Sequence, residues 1–386
     1  MKINSKISQS PTLVFAEAAR KRIADGQKII SMGIGEPDID VPDFLKEGMI
    51  NALSNNSSSK YLNSLGNNQL RESIANDLKI RNGFSYEAGQ VMITAGAKQA
   101  LQLILLSLVH DEDEVMFFSP NYVSYIPQVL LSTNDAKYVD VNLNEDFSLN
   151  KENFIEGLSE RTKVLILNNP NNPTGRIFKK EEFDFILDQI RDKDIYVILD
   201  DVYELLIYNN SSYYSLAQEE QMQDRIFYVN SFSKSHSVPG WRIGYLCAPK
   251  RLMGDIVKIQ QHINTNTSSI IQEACISIYE NGYGFLKDYI KKLQDRSDFI
   301  YSELSPYLKN GLIRPEGGFF YFLDIRQTNL NSNDFCAKLI DEEGVALTPG
   351  IAFGENWDSY VRLSFGIDDD QLKLGIEKLI NFIKKF

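Results

Sequence analysis

Lys234 sits in the stretch SFSKSHSVPGWRIGY, directly after the apolar run IFYV (226–229) and eight residues before Arg242. A lone amine among serines at the end of a buried strand has chemistry open to it that a surface lysine lacks. It can condense with an aldehyde, while the arginine grips an anionic group on the same molecule. Three other polar clusters share this kind of position. TAGAKQ (94–99) follows an apolar run and opens a helix, so the backbone amides of Ala97 and Lys98 make an anion site. NNPNNPTG (168–175) puts Asn172 ahead of Pro173, and DDVY (200–203) puts Asp200 on the same segment as Tyr203. Ser231, Arg242 and the helix start at Ala97–Lys98 together suffice to hold one phosphate.

These residues need elements to position them. Short apolar runs, VMITA (91–95), EVMFFS (114–119), AKYVDV (136–141), TKVLILNN (162–169), IYVILDD (195–201) and IFYVNS (226–231), alternate with helical stretches such as AKQALQLILLSLV and KEEFDFILDQIRD. The runs are β-branched and barely alternate in polarity, the pattern of strands buried on both faces. Strand–helix alternation of this kind predicts an α/β fold with a mainly parallel sheet covered by helices on both faces. In such sheets ligands bind beyond the carboxyl ends of the strands, where every polar cluster above falls. From about Asn281 the pattern changes to a long helix, short strands (GGFFYFLDI, YVRLSFG) and a terminal helix. The expected organisation is a large domain over 46–283, a smaller α+β domain over 284–386, and an N-terminal segment, 1–45, packing on the small domain.

A phosphate cradle, an isolated lysine and a buried aspartate belong together if the ligand is pyridoxal 5'-phosphate. That cofactor needs a lysine for a Schiff base, a carboxylate on its ring nitrogen and an anion site for its phosphate. In order along the chain, GEPDIDVP, KYLNSLGNNQLRESIA, TAGAKQAL, SPNYVSY, NNPNNPTG, DDVYE, SFSKSHSVPGWRIGY, RPEGGFFYF and YVRLSFG resemble the fold-type I pyridoxal-phosphate enzymes. The likeness is to class I/II aminotransferases of the bacterial aspartate aminotransferase type, and it spans nearly the whole chain.

The resemblance implies a role for each residue. Lys234 attaches the cofactor and moves the proton between substrate and cofactor. Asp200 pairs with the ring nitrogen, Asn172 and Tyr203 hydrogen-bond the ring hydroxyl, and Tyr122 stacks on the ring. Ala97, Lys98, Ser231 and Arg242 hold the phosphate, reached also by Tyr61 from a neighbouring subunit of a homodimer. Arg362 clamps the substrate carboxylate, with Gly35 contributing backbone. Lys98 matches a position where some relatives place a lysine near a distal carboxylate, which favours aspartate or glutamate as donor. Tyr122 departs from the tryptophan that many relatives carry there, and Asn121 and the SHSVPG filling are also unusual. His236 and Arg176 receive no role, and His236 is expected to be a packed or partly exposed loop residue.

Composition narrows the alternatives. With 52 acidic against 40 basic residues the net charge is −12, which argues against nucleic acid or an anionic membrane as partner. Cys247, Cys275 and Cys336 follow no metal-ligand spacing, so no metal is expected, and such sparse cysteines suit the cytoplasm. The start, MKINSKISQSPTLVF, lacks the apolar run of a secretory leader. The expected activity is transfer of an amino group between an L-amino acid and a 2-oxo acid. The same scaffold also serves lyases and cyclases, which share the first proton abstraction. A ligand sensor that turns nothing over is disfavoured by the absence of a DNA-binding segment.

Overall fold

The computed structural model describes residues 7, 9–54, 59–133, 135–208 and 211–386. The chain opens with α1 (Pro11–Ala24), β1 (Ile30–Ser31), α2 (Asp43–Ser54) and α3 (Asn68–Asn82). An alternating run follows: β2 (Val91–Thr94), α4 (Ala97–Leu108), β3 (Glu114–Ser119), α5 (Tyr125–Leu130), β4 (Lys137–Asn142), α6 (Lys151–Gly157), β5 (Thr162–Asn168), α7 (Lys180–Ile190), β6 (Tyr196–Asp200), β7 (Ile226–Ser231), α8 (Phe232–Ser235) and β8 (Gly244–Cys247). After α9 (Lys250–Ile263), α10 (Ser269–Asn281) and α11 (Leu286–Leu304) come β9 (Phe320–Asp324), α12 (Ser332–Glu343), β10 (Val345–Ala346), β11 (Thr348–Pro349), β12 (Tyr360–Ser364) and α13 (Asp369–Ile383).

The main sheet has seven strands in the order β2-β8-β7-β6-β5-β3-β4. All neighbours are parallel except those of β8, which runs antiparallel to both β2 and β7. The fold is thus the expected α/β class with one reversed strand. The runs that barely alternate in polarity have the expected cause: along β5, Leu165 and Leu167 join the core on one face, Val164 and Ile166 the core on the other. Helix faces follow the 3.6-residue period, as α7 shows by burying Phe183, Ile186, Leu187 and Ile190. Each such side chain contributes about 1.5–3 kcal/mol relative to exposure.

A third apolar cluster gathers the C-terminal elements: Leu293, Phe335, Leu363 and Leu379 pack there with Ile30 and Met32 from the N-terminal segment and Tyr203 and Leu206 from beyond β6. β9, β11 and β12 form a small antiparallel sheet, and β1 pairs in parallel with β10. Among its described residues the N-terminal segment has no sheet of its own; β1 pairs with a strand from the far end of the chain.

Candidate active site

Because β2, β3, β5, β6 and β7 are parallel, their carboxyl ends share one edge of the sheet. Thr94, Ser119, Asn168, Asp200 and Ser231 close those strands. Register places Asn168 beside Asp200, and Ser231 beside Gly244. A cavity of about 600 Å³ opens over this edge, roofed by α1 and by the segment after β1. Ala97, Lys98, Tyr122, Asn172, Asp200, Tyr203, Ser231, Lys234, Arg242, Gly35 and Arg362, named from the sequence, all line it. Tyr61 does not; it lies on the surface, 89% exposed.

Lys234 occupies a single helical turn, α8, rather than the open loop its small neighbours suggested. The Ser231 side chain caps that turn, accepting from the Ser233 amide at 3.2 Å and donating to the Ile243 carbonyl at 2.9 Å. Lys234 Nζ donates to the Gly35 carbonyl at 2.6 Å. Burial lowers its pKa to about 8; Arg362, Arg242 and Lys98 push the same way and Glu36 opposes them.

Asp200 is buried, which raises its pKa to about 6 against the hydrogen bonds that hold it down. Tyr125 Oη donates to Oδ2 at 2.7 Å, while Oδ1 has no partner among the described residues. Asn168 fixes the backbone, donating from Nδ2 to the Asp200 carbonyl at 2.7 Å and accepting from the Asn172 amide at 2.7 Å. Burial holds the Tyr203 phenol well above its usual range, with Arg362 and Asn172 opposing it.

Arg242 adopts a left-handed backbone, φ 55°, a strained conformation of the kind that gathers at ligand sites. Its guanidinium donates to the carbonyls of Pro239 (2.9 Å) and Ala95 (3.1 Å). Gly96, φ 79°, makes room for it: a Cβ there would lie 2.7 Å from Arg242 Nη2. The first-turn amides of α4, at Ala97 and Lys98, have no carbonyl a turn back to accept from them.

Arg362 on β12 is buried between the rings of Phe320 (4.5 Å) and Phe353 (4.9 Å). It donates to Asn172 Oδ1 at 2.9 Å and to the Gly33 carbonyl at 2.7 Å, while its Nε has no partner among the described residues. Burial lowers its pKa to about 10. Among the described residues, none of Lys98, Lys234, Arg242 and Arg362 forms an ion pair. Four cations around one cavity without a carboxylate on any of them form an anion receptor.

Several lining residues escaped sequence reasoning. Thr12, Leu13, Ala16 and Arg20 come from α1, Gly33 and Glu36 from the segment after β1, and Phe320 from β9. Of these, Glu36 lies in GEPDIDVP and Phe320 in RPEGGFFYF, stretches that had drawn notice as patterns without either residue being singled out. Asn121, unassigned before, ties the segment after β3 to two neighbours: its amide donates to the Phe353 carbonyl at 2.8 Å and its side chain to Asp140 of β4 at 3.3 Å. His236 is buried, as a packed residue, with Nδ1 2.8 Å from Ser235 Oγ. Arg176 is also buried and pairs with Glu182.

No group of His, Cys, Asp or Glu side chains among the described residues is arranged to hold a metal ion. No described helix is long and apolar enough to cross a membrane. The cavity fits pyridoxal phosphate: it offers a free amine, a buried carboxylate oxygen without a partner, and arginine and helix amides for a phosphate.

Comparison with known proteins agrees. The chain is 32% identical over 386 residues to a probable aspartate/prephenate aminotransferase of Aquifex aeolicus, covering 97% of this chain and 96% of the relative. It is 32% identical over 382 residues to the aspartate aminotransferase of Thermotoga maritima, covering 98% of each. The solved aspartate aminotransferase of Thermus thermophilus with maleate superposes with a TM-score of 0.92 at 28% identity, covering 99% of this chain and 100% of that one. The profile of the family described as aminotransferase class I and II matches residues 27–379. With fold, cavity and profile in agreement over nearly its whole length, the chain belongs to the class I and II aminotransferases, pyridoxal-phosphate enzymes that transfer amino groups.

Proposed function

We propose that this cavity holds pyridoxal 5'-phosphate and that the enzyme moves an amino group between an L-amino acid, aspartate or glutamate foremost, and a 2-oxo acid. The observation that carries the reading is the meeting of Lys234, the unpartnered Oδ1 of Asp200 and two arginines without counter-ions in one cavity. The cofactor, when bound, supplies the electron sink that acidifies a substrate Cα–H.

The chain's residues do the rest. Lys234, with a pKa near 8, reaches its neutral nucleophilic form close to physiological pH. It would attach the cofactor through its aldehyde and would hold and move the proton at substrate Cα. Asp200 Oδ1 would accept from the ring nitrogen, Asn172 and Tyr203 would hold the ring hydroxyl, and Tyr122 would cover the ring. Ser231, Arg242 and the Ala97 and Lys98 amides bind the phosphate. Arg362 orients the substrate by its α-carboxylate, beside the Gly35 backbone, and no proton leaves this arginine at neutral pH.

Two features support an acidic donor. Lys98 is exposed at the cavity, its Nζ 5.8 Å from the centre of the Tyr122 ring. Maleate, the ligand named in the Thermus structure, is a dicarboxylate. In this reading Tyr61 of a partner subunit completes the phosphate site of a homodimer, which accounts for a tyrosine left 89% exposed in one chain. We divide the chain into 1–45, 46–283 and 284–386, a division supported by the separate apolar cluster of the C-terminal elements. Three buried free thiols suit a cytoplasmic enzyme.

The test is an amino-donor panel followed by absorbance. Glutamate or aspartate should convert the bound cofactor from its aldehyde-derived band to the amine form in one half-reaction, and a 2-oxo acid should restore it. Release of a cleaved product with the original band retained would instead mark a lyase.

A further inference from the structure

We propose that Tyr125 is a positioning residue that keeps Asp200 in its anionic, acceptor form opposite the ring nitrogen, and so decides on which side of that contact the proton rests. The inference rests on the reading that Asp200 faces the ring nitrogen of pyridoxal phosphate.

The geometry is specific. Tyr125, the first residue of α5, is 2% exposed, and its hydroxyl donates to Asp200 Oδ2 at 2.7 Å. The other carboxylate oxygen, Oδ1, is buried without a partner among the described residues, on a side chain that lines the cavity. The carboxylate is therefore divided, one oxygen held from behind and one left for a ligand. The Tyr125 ring also meets the edge of Tyr122, with centroids 5.6 Å apart at 80°, and packs on Phe117 at 5.9 Å. One side chain thus touches both of the residues that would face the cofactor ring.

The chemistry follows from the proton count. A buried carboxylate and a pyridine nitrogen share one proton, and the electron sink works when that proton is on nitrogen. Burial favours the neutral acid, and a phenol donating to Oδ2 favours the carboxylate. Burial and the neighbouring Asp200 charge hold the Tyr125 phenol above its ordinary range, which keeps it a donor to Oδ2. Without that hydroxyl the proton moves toward Oδ1, and the contact becomes one between two neutral groups.

Binding of two probes to the full-length, cofactor-stripped chain tests this: pyridoxal phosphate itself and its analogue with C–H in place of the ring nitrogen. The readout is the preference for the natural ring over the analogue. Asp200→Asn should abolish the preference. Tyr125→Phe should reduce it about tenfold to a hundredfold, as expected for a lost charge-assisted hydrogen bond, while binding of the analogue stays constant. In the Asp200→Asn background Tyr125→Phe should change neither affinity. Equal weakening of both probes by Tyr125→Phe, or no change in preference, overturns the proposal by reducing Tyr125 to packing. If the single variant fails to fold, the double variant, which strands no carboxylate, is compared with Asp200→Asn, and any further change in the preference overturns it. A preference that survives Asp200→Asn would instead refute the placement of Asp200 at the ring nitrogen.

Discussion

Arg296 and Arg362 are each 4% exposed, yet the protein treats them in opposite ways. Arg296, on α11, is saturated. It grips Asp38 with both terminal nitrogens (2.8 and 2.6 Å), Asp369 through Nε (2.6 Å) and the Phe365 carbonyl (3.1 Å). Those carboxylates raise its pKa, whereas Arg362, with neutral acceptors and two aromatic faces, has its own lowered. A buried charge costs several kcal/mol unless it is paired, so the first arginine serves the fold and the second is held at the fold's expense. Fractional exposure alone does not distinguish them. The counter-ion does.

The same contrast extends to Lys234, and the hardest way to break it lies there. Lys234→Ala should lower kcat by about a thousandfold or more, because nucleophile and proton carrier go together. Borohydride reduction of the native enzyme followed by peptide mapping should place the label on Lys234; a label elsewhere removes this lysine from the chemistry.

Next come the two arginines themselves. Arg296→Met should cost about 3 kcal/mol in denaturant unfolding, since it takes from the largely buried Asp38 side chain its two-pronged partner and leaves it Lys292 as ion-pair partner, with kinetic constants of the folded fraction unchanged. Arg362→Met should move stability by less than about 1 kcal/mol and lower kcat/KM about tenfold to a hundredfold for every amino-acid donor. Equal destabilisation by both variants would collapse the contrast.

A smaller effect is expected at Lys98, an exposed cation. Lys98→Ala should weaken glutamate a few-fold relative to phenylalanine, the scale of a solvent-screened pair. An equal drop for both donors would assign Lys98 to the phosphate helix alone.

One further expected effect, on stability rather than rate, is a pH slope. In the cofactor-free protein the Lys234 pKa of about 8 lies below its unfolded value of 10.5. Between those values the unfolded chain holds a proton that the folded chain has shed, so unfolding becomes harder as pH rises above about 8. Comparing stability at pH 7.5 and 9.5 should show this gain in the parent protein and its absence in Lys234→Met.

How much of this was legible in the sequence depended on whether a residue's neighbours in the chain are also its neighbours in space. Lys234, Asp200, Asn172 and Ala97 all follow apolar strand runs, and a parallel sheet brings such ends together without further information. Arg362 is the lone charge in YVRLSF, and what the structure sets against it is a pair of aromatic rings and, among the described residues, no carboxylate. Tyr125 gave no such signal: it is one of 19 tyrosines, and only the approach of α5 to the end of β6 puts its hydroxyl on Asp200. The reversal of β8 was equally hidden, because a short apolar run such as GYLC carries no mark of the direction in which its strand will pair. The turn at Lys234 looked like a loop because serines favour both caps and loops.

The pairing of β1 with β10 has a consequence for how the enzyme comes into being. Ile30 lies beside Val345, and the Ser364 amide donates to the Met32 carbonyl at 2.7 Å. The residues that follow, Gly33 and Gly35, present the carbonyls that Arg362 and Lys234 hold. On the ribosome the first forty residues must therefore wait for nearly the last forty before they can settle. Contacts of such long sequence separation form late, after closure of an almost chain-length loop. The central sheet can assemble while synthesis continues, but the cavity gains its roof only after β12 has emerged. A chain cut short before that strand carries Lys234 and Asp200 and still lacks a closed place for them to work.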